Sequence, residues 1–508
     1  MMTLVPTPAY RAGRRAGHLQ GALALLLLLS GCTVGPDFKP PAEPSTARYT
    51  SHDETLVGES DASSGSPPQT LAVGERVAVD WWTLFQSPDL DSVVKQAIDR
   101  SPTLDSAKER LVQAREAIAA ASSALYPQVT AGAGVTRQKV SVTQYGLPPS
   151  AAPLPPNFNL FQVGATVGYS IDLFGATRRQ IEAESALAEF QRDQLDAAYW
   201  TLTGNTVMQA IQVAAMRAQM KSLGVLLEVD RQNLDLVRKE RNAGAVPDSD
   251  VVSAETQLAE DETLLPGYEE QLSAAKHALA MLLGHSAWEW SAPDFDLSSM
   301  VLPARLPVMV PSQLIRQRPD IQAAEAQLHA ASAEIGVATA QLYPAITLSG
   351  GVTSYALQAH ELFNPTGLVW SIAAGITEPV FDGGMRRAER RAALAAFKAS
   401  AGDYQQTVLQ AFEQVADILQ ALASDARLLS AQQRALDMAA EAVRLQRISY
   451  TRGGTGLINL LDAQRQYQQA LLGYSRVQAK RYQDTTQLLV AMGGGWWNPD
   501  ASSTQRMN

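Results

Sequence analysis

Phe161-Gln162-Val163-Gly164-Ala165-Thr166-Val167-Gly168-Tyr169-Ser170-Ile171-Asp172-Leu173 alternates without a break. Phe161, Val163, Ala165, Val167, Tyr169, Ile171 and Leu173 are apolar, and small or polar residues stand between them. A period of two places one set on each face of a β-strand. Working outward, Val129 to Thr136 alternates in a looser form just after Tyr126-Pro127. Further on, Ile346, Leu348 and Val352 stand against Thr347, Ser349 and Thr353. Leu368, Trp370, Ile372 and Ile376 then alternate with Ser371, Gly375 and Thr377.

Two readings compete for these segments. In a soluble sheet the apolar face meets a core; in a membrane barrel it meets lipid while the other face lines water. Length favours the second, because each segment runs about 9–13 residues, near the spanning requirement. The polar faces agree, being mostly Gly, Ser, Thr and Gln with almost no charge. After the N-terminus no apolar run reaches the ~18 residues that a membrane helix needs, so any crossing must be made by strands. Four strands cannot close around a channel. Their free edges would present unpaired N–H and C=O groups to lipid, each costing several kcal/mol. Several chains must therefore share one barrel, and three would give twelve strands.

Around the strands lie long helical patterns. Residues 176–242 and 381–497 contain no proline, and at ~1.5 Å per residue the first makes a rod of about 100 Å. Leu409, Phe412, Ala416, Leu419, Ala423 and Ala426 repeat in a 3-4 rhythm, as do Leu460, Ala463, Tyr467, Ala470, Tyr474 and Val477. Such a rhythm is that of a packed coiled-coil seam. The helices alone would suit an all-helical bundle or rod equally well.

The layout recurs. Ser101-Pro102-Thr103-Leu104-Asp105 is echoed by Arg318-Pro319-Asp320-Ile321-Gln322, and Leu125-Tyr126-Pro127 by Leu342-Tyr343-Pro344. Phe174 before Arg178-Arg179 is matched by Phe381 before Arg386-Arg387. The division expected is a signal peptide at 1–31, a tether at 32–79, a first repeat at 80–290, a linker at 291–317, a second repeat at 318–497 and a tail at 498–508. Within the repeats, hairpins are expected at about 128–173 and 345–380. Long helices are expected over 176–243, 248–284, 383–451 and 457–492.

Composition removes several function classes. A chain of net charge −10 is a poor partner for nucleic acid, whose phosphates need Lys and Arg. His18, His52, His277, His285, His329 and His360 form no spaced cluster, so no metal or other cofactor is expected. No GxSxG, Walker or dinucleotide motif is present. No catalytic constellation appears, and the expectation is a protein that is not an enzyme.

Arg11, Arg14 and Arg15 precede a short apolar core, Gly21 to Leu29, and then Leu29-Ser30-Gly31-Cys32. The core is too short to span a bilayer, and its ending resembles the bacterial lipobox, whose Cys is acylated. The other reading is an ordinary signal peptide with an incidental Cys. Thr33 in place of Asp favours the outer membrane by the same resemblance. Residues 36–79, rich in Pro, Ser, Thr and Glu, read as an extended tether with no core of its own, order beginning near Asp80-Trp81-Trp82.

Taken in order, the chain resembles the outer-membrane factor family, the TolC-like channel-tunnels, and within it the NodT-type efflux lipoproteins. The resemblance runs from Cys32 to about residue 497. It rests on the lipobox, Asp80-Trp81-Trp82 with Phe85 and Leu90, the paired Leu-Tyr-Pro stops, Asp172-Leu173-Phe174-Gly175, Leu460-Leu461-Asp462-Ala463-Gln464-Arg465, and Leu488 to Trp496. It implies a mixed membrane α/β fold: a homotrimer with a twelve-stranded outer-membrane β-barrel and a coiled-coil α-barrel in the periplasm. It also implies a periplasmic adaptor, an inner-membrane pump of the resistance-nodulation-division class, and outer-membrane lipid as partners. The adaptor would dock on the helix turns at Gly244-Ala245-Val246 and Gly453-Gly454-Thr455. A resting gate would follow the second turn, with an apolar constriction at Ile458, an acidic ring at Asp462 and its basic partner Arg465. An ordinary surface pair of Asp462 and Arg465, worth under about 1 kcal/mol, is the alternative. Besides small-molecule efflux, a type I protein-secretion duct and a non-conducting structural lipoprotein remain as readings.

Overall fold

The computed structural model describes residues 33–42, 48–49, 69–139, 148 and 157–494, and the backbone alone at 56–57. Cys32, the signal segment and the C-terminal tail lie outside the described residues. Two compact units are present.

The first unit, which takes in residues 112–189 and 325–402 and the start of the described chain, holds a four-stranded antiparallel sheet. Its strands are β3 (Gln128–Gln138), β4 (Phe158–Ile171), β6 (Ala345–Ala356) and β7 (Leu368–Thr377), in that spatial order. The register aligns the alternation across all four. Val129 lies opposite Val167, Ala165 opposite Val352, Tyr169 opposite Leu348, and Val352 opposite Trp370. One face is thus Val, Ala, Phe, Tyr, Ile, Leu and Trp, and the other mainly Gly, Ser, Thr and Gln. Within one chain the apolar face is uncovered: Val129 is 73% exposed, Trp370 71% and Ile372 83%. The outer edges of β3 and β7 have no strand partner among the described residues.

Asp172 ends the first hairpin by accepting hydrogen bonds from the backbone N–H groups of Thr177 (3.0 Å) and Arg178 (3.1 Å). Two otherwise orphan donors of the next helix are satisfied in this way. Asp382 does the same for Gly384 and Arg386 after β7. The helices so started are α3 (Ala176–Asn242) and α8 (Met385–Thr451), each 67 residues. Phe174 stacks on Tyr343, ring centroids 4.6 Å apart. The segment just after Cys32 is not a free tether. The Val34 N–H donates to Phe174 O, and Arg179, its side chain 5% exposed, donates to Val34 O, Gly35 O and Asp37. Phe38 stacks on His329 at 4.4 Å. Gly35 sits so close to Gly336 that a Cβ on Gly35 would lie 2.5 Å from the Gly336 Cα, and a Cβ on Gly336 would lie 2.7 Å from Cγ of the buried Arg179 side chain.

The second unit takes in most of α3 and α8 and the remaining helices. They are α1 (Pro88–Arg100), α2 (Pro102–Ser122, passing into the first unit), α4 (Asp248–Glu262), α5 (Leu264–Leu282), α6 (Pro311–Ile315), α7 (Pro319–Ala340, also shared) and α9 (Leu457–Ala491). The helix expected over 248–284 is broken at Thr263, because Pro266 has no N–H for the Glu262 carbonyl and its ring would crowd that carbonyl. The tether reading is corrected a second time here. Residues Gln69–Val73 form β2, parallel to β5 (Arg305–Val308) and antiparallel to the short β1 (Leu56–Val57). The pairing is locked by Gln69, fully buried, which donates to Pro303 O and Thr485 Oγ1 and accepts from Arg481. Trp81, Phe85 and Leu90, also fully buried, form the adjoining core. No described helix is long and apolar enough to cross a membrane.

Candidate functional site

Both helix turns named as docking sites are left-handed glycine caps. Gly244 has φ +75° and Gly453 φ +74°, a region closed to most side chains. Ala245 N–H reaches back to Glu240 O and Gly454 N–H to Ser449 O, satisfying carbonyls at the ends of α3 and α8. Ala245, Gly453 and Gly454 are exposed, while Val246 packs inward. Beneath the turns lies a compact apolar cluster of Leu234, Val237, Ala254, Tyr450, Leu457, Leu460 and Leu461.

The first turns of α9 divide cleanly by face. Leu457, Leu460 and Leu461 are buried, whereas Ile458 (73% exposed), Asp462 and Arg465 look outward from the chain. The basic partner expected for Asp462 is engaged elsewhere. Arg465 donates to Gln257 Oε1 (3.0 Å), and Asp462 accepts from Gln466 one turn on (3.2 Å). The reason is the pull of an acceptor across the helix interface: Gln257 is 6% exposed, and its carbonyl needs a donor.

Gln257 leads into a buried polar layer that sequence reading missed. Its Nε2 donates to Asp261 Oδ2 (2.6 Å), and Gln468 donates to Asp261 Oδ1 (2.7 Å). Asp230 of α3, 3% exposed, faces Asp261. Burial pushes its carboxyl up to about 7, and the hydrogen bond and charge of Asp261 push the same way. Asp230 Oδ2, Asn233 Nδ2 and Gln464 Oε1 are buried without a hydrogen-bond partner among the described residues. A second buried carboxyl pair, Asp425 and Asp484, differs because Lys480 bridges it; burial and Asp484 still push Asp425 up to about 6 against the Lys480 charge. Among the described residues no group of three or more His, Cys, Asp or Glu side chains could hold a metal ion.

The model of outer membrane efflux proteins matches residues 93–285 and 310–494. The chain belongs to the outer membrane efflux protein family. The pyoverdine export outer membrane protein OpmQ of Pseudomonas aeruginosa is 30% identical over 93% of this chain and 95% of its own length. Nodulation protein T of Rhizobium leguminosarum bv. viciae is 29% identical over 95% and 94%. In three dimensions the chain is similar to the outer-membrane channel OprN, with a TM-score of 0.79 at 28% identity, covering 92% of this chain and all of that one. The fold is the channel-tunnel of outer-membrane efflux components, and this family member resides in the outer membrane and serves efflux.

Proposed function

We propose that three copies of this chain form the channel, each giving β3, β4, β6 and β7 to one twelve-stranded barrel and α3, α4, α5, α8 and α9 to a periplasmic α-barrel. The observation that carries this reading is the sheet itself: one apolar face uncovered, one nearly uncharged polar face, and two open edges. Lipid covers the first, water fills the space lined by the second, and neighbouring copies pair the third. The two halves, each running helix, hairpin and 67-residue helix, then closing with α4 and α5 in the first and with α9 alone in the second, support an internal duplication with a linker near 291–317.

Cys32 carries the acyl anchor, and the Arg179 contacts hold the residues after it. The turns at Gly244-Ala245-Val246 and Gly453-Gly454-Thr455 receive an adaptor that connects to an inner-membrane pump of the resistance-nodulation-division class. Ile458, Asp462 and Arg465, outward-facing on one chain, meet their copies around the axis and close the resting channel. Three Asp462 carboxylates repel, so closure depends on the donors around them. The chain conducts passively and catalyses nothing. The test joins three measurements on detergent-purified protein: its mass in solution, planar-bilayer conductance, and co-purification with adaptor and pump. A conducting trimer bound to both supports the proposal; a water-soluble, non-conducting monomer overturns it.

A further inference from the structure

Behind the proposed gate residue Arg465 lies a carboxyl pair that no cation bridges among the described residues. Asp230 comes from α3 and Asp261 from α4, and the amides of Gln257 and Gln468 already occupy both Asp261 oxygens. The charged groups on the helices around it are accounted for. Arg231 of α3 and Glu262 of α4 pair with each other at the exposed rim, 3.0 Å apart. Arg465 of α9 reaches Gln257 and stops there, and Asp462 is exposed beside Gln466. On α8, Asp437 and Arg434 lie on the exposed side, bonded to Gln433 and Ser430. Contrast Asp425 and Asp484, where Lys480 supplies the counter-charge. Asp230 faces Asp261 within hydrogen-bonding reach, and at 3% and 5% exposure two facing carboxylates strongly disfavour both being ionised at once. One proton between them converts a repulsion into a hydrogen bond.

We propose that Asp230 and Asp261 share a proton that braces α3, α4 and α9 together and, through Gln257, positions Arg465 at the gate. Loss of that proton leaves two buried negative charges, which the tip relieves by local opening or by drawing Arg465 inward. Either move withdraws Arg465 from its resting place. The link to gating rests on the proposed role of Arg465; the brace itself does not.

The sign follows from linkage. A carboxyl raised in the folded state stabilises the closed tip fully below its ordinary range near 4, and that contribution is lost as pH rises to about 7. Hydrogen exchange on the full-length assembled protein, corrected for the intrinsic pH dependence of exchange, reads this directly. In peptides spanning 225–235, 255–268 and 458–470, opening should rise about tenfold per pH unit through that window and level off above it. In Asp230→Asn the slope should vanish, with Asp261→Asn as the second variant should the first assemble poorly. A wild-type profile as flat as that of the variants overturns the brace. Conductance is recorded over the same pH series. If exchange shows the slope but conductance does not follow it, the brace stands and the gate role of Arg465 falls. If Arg465→Ala opens the channel while wild-type exchange is flat, the gate stands and the brace falls.

Discussion

The four-stranded sheet leaves its apolar side chains uncovered within one chain, with Ile372 83% and Ile376 72% exposed, whereas the tip around Leu460 buries its own, Leu460 at 1% and Leu457 at 2%. Both regions obey the same hydrophobic bookkeeping, but they close at different levels of organisation. The tip finds its partners in α3, α4 and α8 of the same chain. The sheet finds none among the described residues of its own chain, and the proposed trimer covers its apolar face with lipid and its edges with neighbouring copies. A helical pair satisfies its backbone internally, while an open sheet cannot.

The largest effect should come from a charge on the sheet's apolar face. Ile372→Lys is expected to cost about 2–4 kcal/mol per chain if the site lies at the bilayer midplane, enough in a trimer to abolish the detergent-resistant assembly seen on a gel. Ser371→Lys, one residue away on the other face, should assemble normally and shift ion selectivity in bilayer recordings. Equal tolerance of the two would erase the distinction between the faces. Comparable in free energy but confined to the tip is Leu460→Ala, which removes a buried side chain from the tip cluster at a cost of about 2–5 kcal/mol. Limited proteolysis should then cut near the turns while the sheet still assembles, since the two regions draw on different partners.

How far each region could be read from sequence follows from the same contrast. Strand alternation is a local, period-two signal, and Phe161 to Ile171 carries it within one element. The turns were legible because Gly244 and Gly453 are the residues a left-handed cap demands. Non-local pairings were not. Gln69 reads as part of a polar tether until β5, far along the chain, supplies its neighbour. Arg179 reads as one of a basic pair until Val34, Gly35 and Asp37 fold onto it. Asp230 and Asp261 look like ordinary helix-surface acids, and only their burial marks them. A weak signal did exist: Asp230, Asn233, Leu234 and Val237 share the 3-4 spacing of the seam, which places an acid where an apolar residue is expected. Pro266 could likewise have flagged the break at Thr263.

Removing Arg465 should act at the level of one orphaned buried acceptor. Arg465→Ala leaves Gln257 Oε1 without its donor, a cost of about 1–3 kcal/mol, and leakage of large antibiotics such as vancomycin into cells should rise. On the proposed gate, Asp462→Ala should also raise leakage, but by less than Arg465→Ala, because within the chain it loses only the exposed contact with Gln466. Unchanged sensitivity for both variants would take α9's outward face out of the gate.

The smallest effect belongs to the exposed ion pairs that join α3 to α4 near the turn. Arg238 and Glu255 stand 2.6 Å apart with side chains 55% and 46% exposed, so water and salt screen them and two long side chains must be held still to make the contact. Such pairs contribute under about 1 kcal/mol. Arg238→Ala should therefore leave protease resistance of the tip within about one tenfold-dilution step of wild type, and raising salt to about 1 M, where the Debye length falls to ~3 Å, should erase even that difference. The Leu460→Ala defect should persist at the same salt, because apolar burial is not screened. A tip whose stability follows salt more than it follows Leu460 would mean that charge, rather than the buried cluster, holds α3, α4 and α9 together, and the contrast between a self-sufficient tip and a sheet completed from outside would lose its basis.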